Sequence, residues 1–222
     1  NDEFGKKFIE QFHLLGVDID FLKLDENSPT RIVKVDRDSF GDRFFSGFYG
    51  SPKTIFADEV IRKSLIERDL SRLEGIFQET KFFVSGTNIL SSSISAESLY
   101  LLLKIAIKFD VKIVIDLNWR EVFWNHSTFS SQISKQERVN LIETFLNYSH
   151  LLKLAKEEAT LFFEKENPAE ISQKLSNRPD VIITDGSNPI SWFINGLSGQ
   201  TKVINSSKII DTTGAGDAFL AG

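Results

Sequence analysis

Between Phe4 and Leu15, apolar residues fall at Phe4, Phe8, Ile9, Phe12 and Leu15, a spacing that lines one side of a helix. Gly16 follows where a residue free to turn left-handed ends such a helix. The rhythm then changes. Ile32-Val33-Lys34-Val35-Asp36 and the run from Arg43 to Tyr49 are rich in β-formers, with Asp38-Ser39-Phe40-Gly41-Asp42 between them. Together they predict a hairpin, which could be a flap over a site or a plain edge ribbon.

From Thr80 onward short apolar runs alternate with helical periods. Lys81 to Gly86 predicts a short buried strand, and Ser95 would cap a helix to about Phe109 that faces inward with Leu99, Leu102, Leu103, Ala106 and Ile107. Val111 to Ile115 is the next strand, ending at Asp116. Lys135 to Asn147 predicts a helix, Leu151 to Leu154 a strand, Lys156 to Phe163 a helix, and Val181 to Thr184 a strand. Such alternation implies βαβ units and a mostly parallel sheet. Ile190 to Ile194 and Lys202 to Ile204 predict an antiparallel addition around Asn195-Gly196, and Lys208-Ile209-Ile210 a last strand.

Composition narrows the class. The 222 residues suit one α/β domain with one core. A net charge of -5 argues against a nucleic-acid partner, although phosphate ligands need only local dipoles. There is no cysteine, which excludes disulfides and thiolate metal sites and is compatible with a reducing compartment, so the expectation is a cytoplasmic protein. No apolar run approaches the roughly 18 residues of a membrane span. The twenty phenylalanines suggest a Phe-filled core, and His126 beside Trp124 reads as a loop residue. P-loop, dinucleotide, zinc-protease and nucleophile-elbow motifs are missing. The chain starts at a helix without a methionine and stops at Gly222 early in another helix. The expectation is a segment of a longer protein.

The sharpest chemical signal is Asp211-Thr212-Thr213-Gly214-Ala215-Gly216-Asp217-Ala218-Phe219. Two glycines around an alanine let the backbone turn tightly and approach a ligand. The helix that follows offers free N–H groups and roughly half a positive charge at its start, which suits an anion in transfer. A carboxylate there, Asp217, repels a phosphate unless it has a task, and accepting a proton from an attacking hydroxyl is such a task. An acid that merely complements the helix dipole is the alternative for Asp217 taken alone.

This run resembles the C-terminal signature of the ribokinase/PfkB sugar-kinase family, Asp-Thr-x-Gly-Ala-Gly-Asp-x-Phe, at every defined position. The resemblance implies a ribokinase-like α/β sandwich with a mostly parallel central sheet over residues 1–222, and a β-hairpin lid inserted at 30–49. It implies that Gly214, Ala215 and Gly216 form an anion hole and that Asp217 is the catalytic base. Asp211 and Thr213 would bind the nucleotide side or a monovalent cation such as K⁺. Asp116-Leu117-Asn118-Trp119-Arg120 resembles the family's Asp-x-Asn-x-Arg segment, which makes Asn118 and Arg120 substrate-binding residues, with Thr30 at the approach to the lid. Lys153-Leu154-Ala155-Lys156-Glu157-Glu158 resembles its Lys-x-Asn-x-x-Glu element, with Lys153 on the cofactor and Glu158 organising Mg²⁺ through water. Here Ala155 stands in place of the usual Asn. Thr184-Asp185-Gly186 matches the strand that meets the nucleotide, although Ser187-Asn188-Pro189 departs from the usual Gly-rich continuation.

The activity implied is transfer of the γ-phosphoryl of ATP, with Mg²⁺, to a sugar hydroxyl. Fructose is the first expectation, because Asp116 to Trp124 and Gly41-Asp42-Arg43-x-Phe45 look most like fructokinase-type members. A 2-keto-3-deoxygluconate or ribose kinase, or a catalytically silent binding member, stays open. The partners implied are a sugar and ATP, with a homodimer through the lid.

Overall fold

The computed structural model describes residues 2–37, 43–51, 53–126, 132–204 and 214–222. The chain forms two compact units, one of Asn1–Asp69, Ile89–Leu101 and Arg120–Ser134, the other of Leu70–Asn88, Leu102–Trp119 and Lys135–Gly222.

In the first unit, helix α1 spans Glu3–Leu14. Asp2 caps it by accepting from the Gly5 amide at 2.8 Å, and the chain leaves through Gly16 at φ 69°. The hairpin forms as the sequence predicts. Strands β1 (Val33–Arg37) and β2 (Arg43–Phe48) pair antiparallel, with a bulge at Lys34/Val35 that absorbs the extra residue of β2. Its tip, 38–42, lies outside the described residues. Helix α2 covers Lys63–Arg68.

Among the described residues, the second unit carries a six-stranded sheet in the order of the chain. Helix α3 (Leu70–Glu79) leads into β3 (Phe82–Gly86), and helix α4 (Ser93–Lys108) into β4 (Lys112–Asp116). Helix α5 (Glu121–His126) belongs to the first unit, and α6 (Lys135–Leu146) leads into β5 (Leu151–Ala155). Helices α7 (Lys156–Phe163) and α8 (Pro168–Lys174) precede β6 (Asp180–Asp185). Strands β3 to β6 run parallel, and β7 (Asn188–Ile194) and β8 (Leu197–Thr201) add antiparallel. The architecture is therefore mixed α/β with a mostly parallel sheet and a separate antiparallel hairpin. Helix α9 covers Ala215–Ala221.

A buried parallel strand reads as a continuous apolar run because both faces are covered. Ile113, Val114 and Ile115 in β4 and Leu152 and Leu154 in β5 obey this rule. With Ile142, Phe145 and Leu146 of α6 they make the core, each contributing roughly 1.5–3 kcal/mol on burial.

Four expectations are corrected. Ile107, expected on the inward face of α4, is 54% exposed, and Ile105 is buried instead. Strand β3 is not buried: Phe82 is 61% and Val84 55% exposed, because among the described residues β3 pairs with β4 alone and stands at the sheet edge. The second strand of the terminal hairpin is Leu197–Thr201, not 202–204, since Asn195 (φ 51°) and Gly196 (φ 78°) make a two-residue turn that starts the return at once. Ser95 is not the cap of α4, which begins at Ser93. The Ser92 hydroxyl accepts from the Ser95 amide at 3.4 Å, while the Ser95 hydroxyl donates to the Asp58 carbonyl at 2.7 Å. The strand expected at 208–210 lies outside the described residues. Helices α2, α3, α5 and α8 go beyond the elements drawn from the sequence.

Candidate functional site

Asp116 ends β4, and its register partner across the parallel ladder is Lys153 of β5. Register partners on adjacent strands point to the same face. The two side chains meet there: the Lys153 ammonium donates to Asp116 Oδ1 at 3.1 Å and to Oδ2 at 3.0 Å. Both are almost fully enclosed, at 7% and 8% exposed.

The first turn of α9 lies beside this pair. Gly214 caps the helix at φ 77°, a conformation that a side chain would strain, and its carbonyl accepts from Ala218 N at 2.8 Å. The amides of the first turn have no acceptor within their own helix. Gly216 comes so close to Lys153 that a Cβ there would stand 3.0 Å from the ammonium nitrogen. Asp217 is in the same turn and exposed. Gly214, Ala215, Gly216, Asp217 and Lys153 thus sit around one turn. Asp211 and Thr213 lie outside the described residues.

Beyond Asp116 the chain makes a sharp change of direction. Asn118 takes a left-handed backbone (φ 42°), which Asn tolerates better than most residues. The Thr87 hydroxyl donates to the Leu117 carbonyl at 2.5 Å. Glu158 ties the segment to α7. Its Oε1 accepts from Trp119 N at 2.6 Å and its Oε2 from Ala155 N at 2.8 Å. Ala155, at the N-cap of α7, has no side-chain acceptor, so only the glutamate half of a capping box exists. Among the described residues, no group of three or more His, Cys, Asp or Glu side chains is placed to hold a metal.

Thr184 is the penultimate residue of β6, and Gly186 follows its end. The Thr184 hydroxyl donates to the Leu154 carbonyl at 3.5 Å, and Gly186 turns at φ 54°. Asp185 between them pairs with Lys156 at 3.3 Å, and Lys156 also reaches Glu166 at 3.4 Å. These three line a polar cavity of about 320 Å³ with Asn188 and Gln200.

Two residues predicted to touch substrate belong to the first unit. Thr30 gives both its amide (2.6 Å) and its hydroxyl (2.9 Å) to Asp2. The Gly5 amide, with these bonds from Thr30, holds the Asp2 carboxyl down at about 2. The Arg120 guanidinium carbon lies 5.3 Å from the centre of the Phe45 ring in β2.

A cluster in that unit escaped the sequence reading. Arg31, 6% exposed, has its guanidinium carbon 4.4 to 4.8 Å from the rings of Phe48, Phe56 and Phe123. It pairs with Asp58 and Glu59, each at 3.0 Å. His126, expected in a loop, is the last residue of α5 and packs on Phe48 and Phe56 at 4.9 and 5.2 Å. Burial, reinforced by the Arg31 charge, pushes its imidazole below the usual range. The Asp58-Glu59 pair following Phe56 was the only local hint of a buried cation nearby.

A mostly parallel sheet together with a separate antiparallel hairpin matches ribokinase-like neighbours in fold. A fructokinase from Xylella fastidiosa, solved with bound ATP, superposes with a TM-score of 0.81 at 22% identity, covering 100% of this chain and 64% of that one. The model of the pfkB family of carbohydrate kinases matches residues 1–222, and the chain belongs to that family. Probable fructokinase-7 of Arabidopsis thaliana is 26% identical over 227 residues, taking in 100% of this chain and 61% of that protein. The 2-dehydro-3-deoxygluconokinase of Escherichia coli is 23% identical over 227 residues, covering 100% of this chain and 69% of its own. The chain spans 54% to 63% of the length of the Arabidopsis relatives it matches.

Proposed function

We propose that the protein of which this chain is part is an ATP-dependent sugar kinase, moving the γ-phosphoryl of ATP to a sugar hydroxyl. Family membership supports the reaction class. The observation that carries the site is the turn Gly214 to Asp217 set against the Lys153 ammonium, beside the C-terminal end of β4, where open α/β sheets bind ligands.

Asp217 takes the proton of the attacking hydroxyl, and its exposure leaves it open to a bound sugar. Gly214, Ala215 and Gly216 present backbone amides to the charge that develops on the phosphoryl oxygens. Lys153, Thr184 and Gly186 face the nucleotide. Asn118, Arg120 and Thr30 take sugar hydroxyls, with the hairpin within 30–49 as a lid that also pairs two copies. Asp211 and Thr213 hold the nucleotide side or a monovalent cation.

Mg²⁺ fits Glu158 in one way. Its two oxygens accept the amides of Trp119 and Ala155, and among the described residues no group of three or more His, Cys, Asp or Glu side chains surrounds it. That donor set suits an ion held mainly by water and phosphates, as Mg²⁺ usually is. The bound ion would screen phosphate charge, while Glu158 orients its water shell.

Fructose is the sugar we propose, on the likeness to the Arabidopsis fructokinases. A 2-keto-3-deoxygluconate kinase, on the likeness to the Escherichia coli protein, or a ribose kinase is the alternative. A second reading, a binding member without turnover, is favoured by Ala155, which caps α7 with no polar side chain. The experiment is an ADP-release assay of the intact protein on a sugar panel, with Asp217→Asn alongside. Fructose-dependent release, reduced about 10² to 10⁴-fold in the variant, is the expected result. ADP release that no sugar on the panel stimulates sinks the kinase, and an unchanged variant sinks the base.

A further inference from the structure

The buried Asp116–Lys153 pair poses an electrostatic question. A helix start carries roughly half a positive charge, so a cation beside the first turn of α9 is repelled there. The far end of a lysine normally swings away from such a place, having four rotatable bonds to do it with. Here it stays, with both donated bonds going to the two oxygens of Asp116. The carboxylate neutralises the ammonium and fixes its direction. An ammonium has three donors, and the Gly216 turn lies against this one.

Burying an ion pair gives little net stability, since desolvation offsets most of the attraction. Its worth therefore lies in what it holds. We infer that Asp116 is a positioning residue for phosphoryl transfer, clamping the Lys153 ammonium against Gly216 so that the first turn of α9 has one fixed place over β4 and β5. The inference rests on the reading of Gly214 to Asp217 as the phosphoryl site. Asp116 touches neither sugar nor nucleotide in this role. It acts through Lys153, and Lys153 acts through the turn that carries Asp217.

Positioning shows in kcat, because a base or an amide displaced by about 1 Å costs up to about 10²-fold while ground-state binding is kept. Asp116→Asn in the intact protein should lower kcat about 10- to 100-fold, with the KM for sugar within about twofold. The same substitution made on top of Lys153→Met should add nothing, since the clamp has then lost its arm. A kcat that stays at the wild-type level in Asp116→Asn overturns the inference. So does a loss that repeats in full on the Lys153→Met background.

A structural readout keeps the two ideas apart. Followed by NMR, the Gly216 and Asp217 amide resonances should shift in Asp116→Asn while that of Ile183, within β6, holds its place. If no sugar stimulates ADP release by the wild type, the kinase reading falls and these resonances still decide the clamp. If they are unmoved, the clamp falls whatever the activity.

Discussion

Arg31 in the first unit and Lys153 in the second each keep less than a tenth of the side chain in solvent, yet they are housed in different ways. Arg31 stands among three phenylalanine rings and shares two carboxylates, one nearly enclosed (Glu59, 8%) and one half exposed (Asp58, 46%). Among the described residues Lys153 is paired with one carboxylate, delivered by strand register, and has a glycine for a neighbour. The chemistry of the two cations accounts for the contrast. A guanidinium is planar and weakly hydrated, so aromatic faces can replace water around it. An ammonium is compact and strongly hydrated, so leaving water requires a full counter-charge at bonding distance. The first arrangement fastens the base of a hairpin. The second holds a charge beside a turn. Burial of a cation does not by itself mark a functional site; what it is held against decides.

That contrast can be broken most severely at Arg31. Arg31→Ala leaves Glu59 enclosed without its partner and three rings around a void, and should cost about 3–5 kcal/mol in chemical denaturation. A loss below about 1 kcal/mol would mean the rings alone carry the cluster. Glu158 sharpens the comparison from the second unit, since it is a buried charge satisfied by backbone amides. In Glu158→Gln the side-chain amide must turn its NH₂ toward either Trp119 N or Ala155 N, donor against donor. The expected cost is about 1.5–3 kcal/mol, read by the same unfolding measurement.

The smallest effect belongs to Asp2, a charge held at a helix start. Asp2→Ala should cost about 1 kcal/mol near neutral pH. The Asp2 carboxyl is held down from 3.8 to about 2, so its contribution is complete above about 3.8 and fades as pH falls toward about 2. The stability gap between wild type and variant should close over that window. A gap that stays constant down to pH 2 would show that the Gly5 and Thr30 bonds do not depend on the charge.

Much of the fold was legible because its signals are local. Lys156 to Phe163 is helical as its spacing says, and Leu151 to Leu154 differs from the observed strand by one residue. The hairpin followed from two β-rich runs and a polar gap. Local pattern does not report which side of a sheet lies open, so the exposure of Phe82 and Val84 went unread. The turn at Gly214 was visible as a motif, and Asp116 and Lys153 each fell in a recognisable segment. Their pairing was not visible: it spans 37 positions and depends on the register of two parallel strands. Arg31 was hidden for the same reason, with ring partners up to Phe123. Single-residue chemistry travels in sequence; juxtaposition needs coordinates.

Gly216 then has a consequence for how this chain can drift. A methyl group there would stand 3.0 Å from the Lys153 nitrogen, which would have to give by a few tenths of an ångström against its bonds to Asp116. Positions 216 and 153 are thereby bound to one another as a lock is to its key. In a library randomised at both, alanine at 216 should survive mainly where 153 has become shorter.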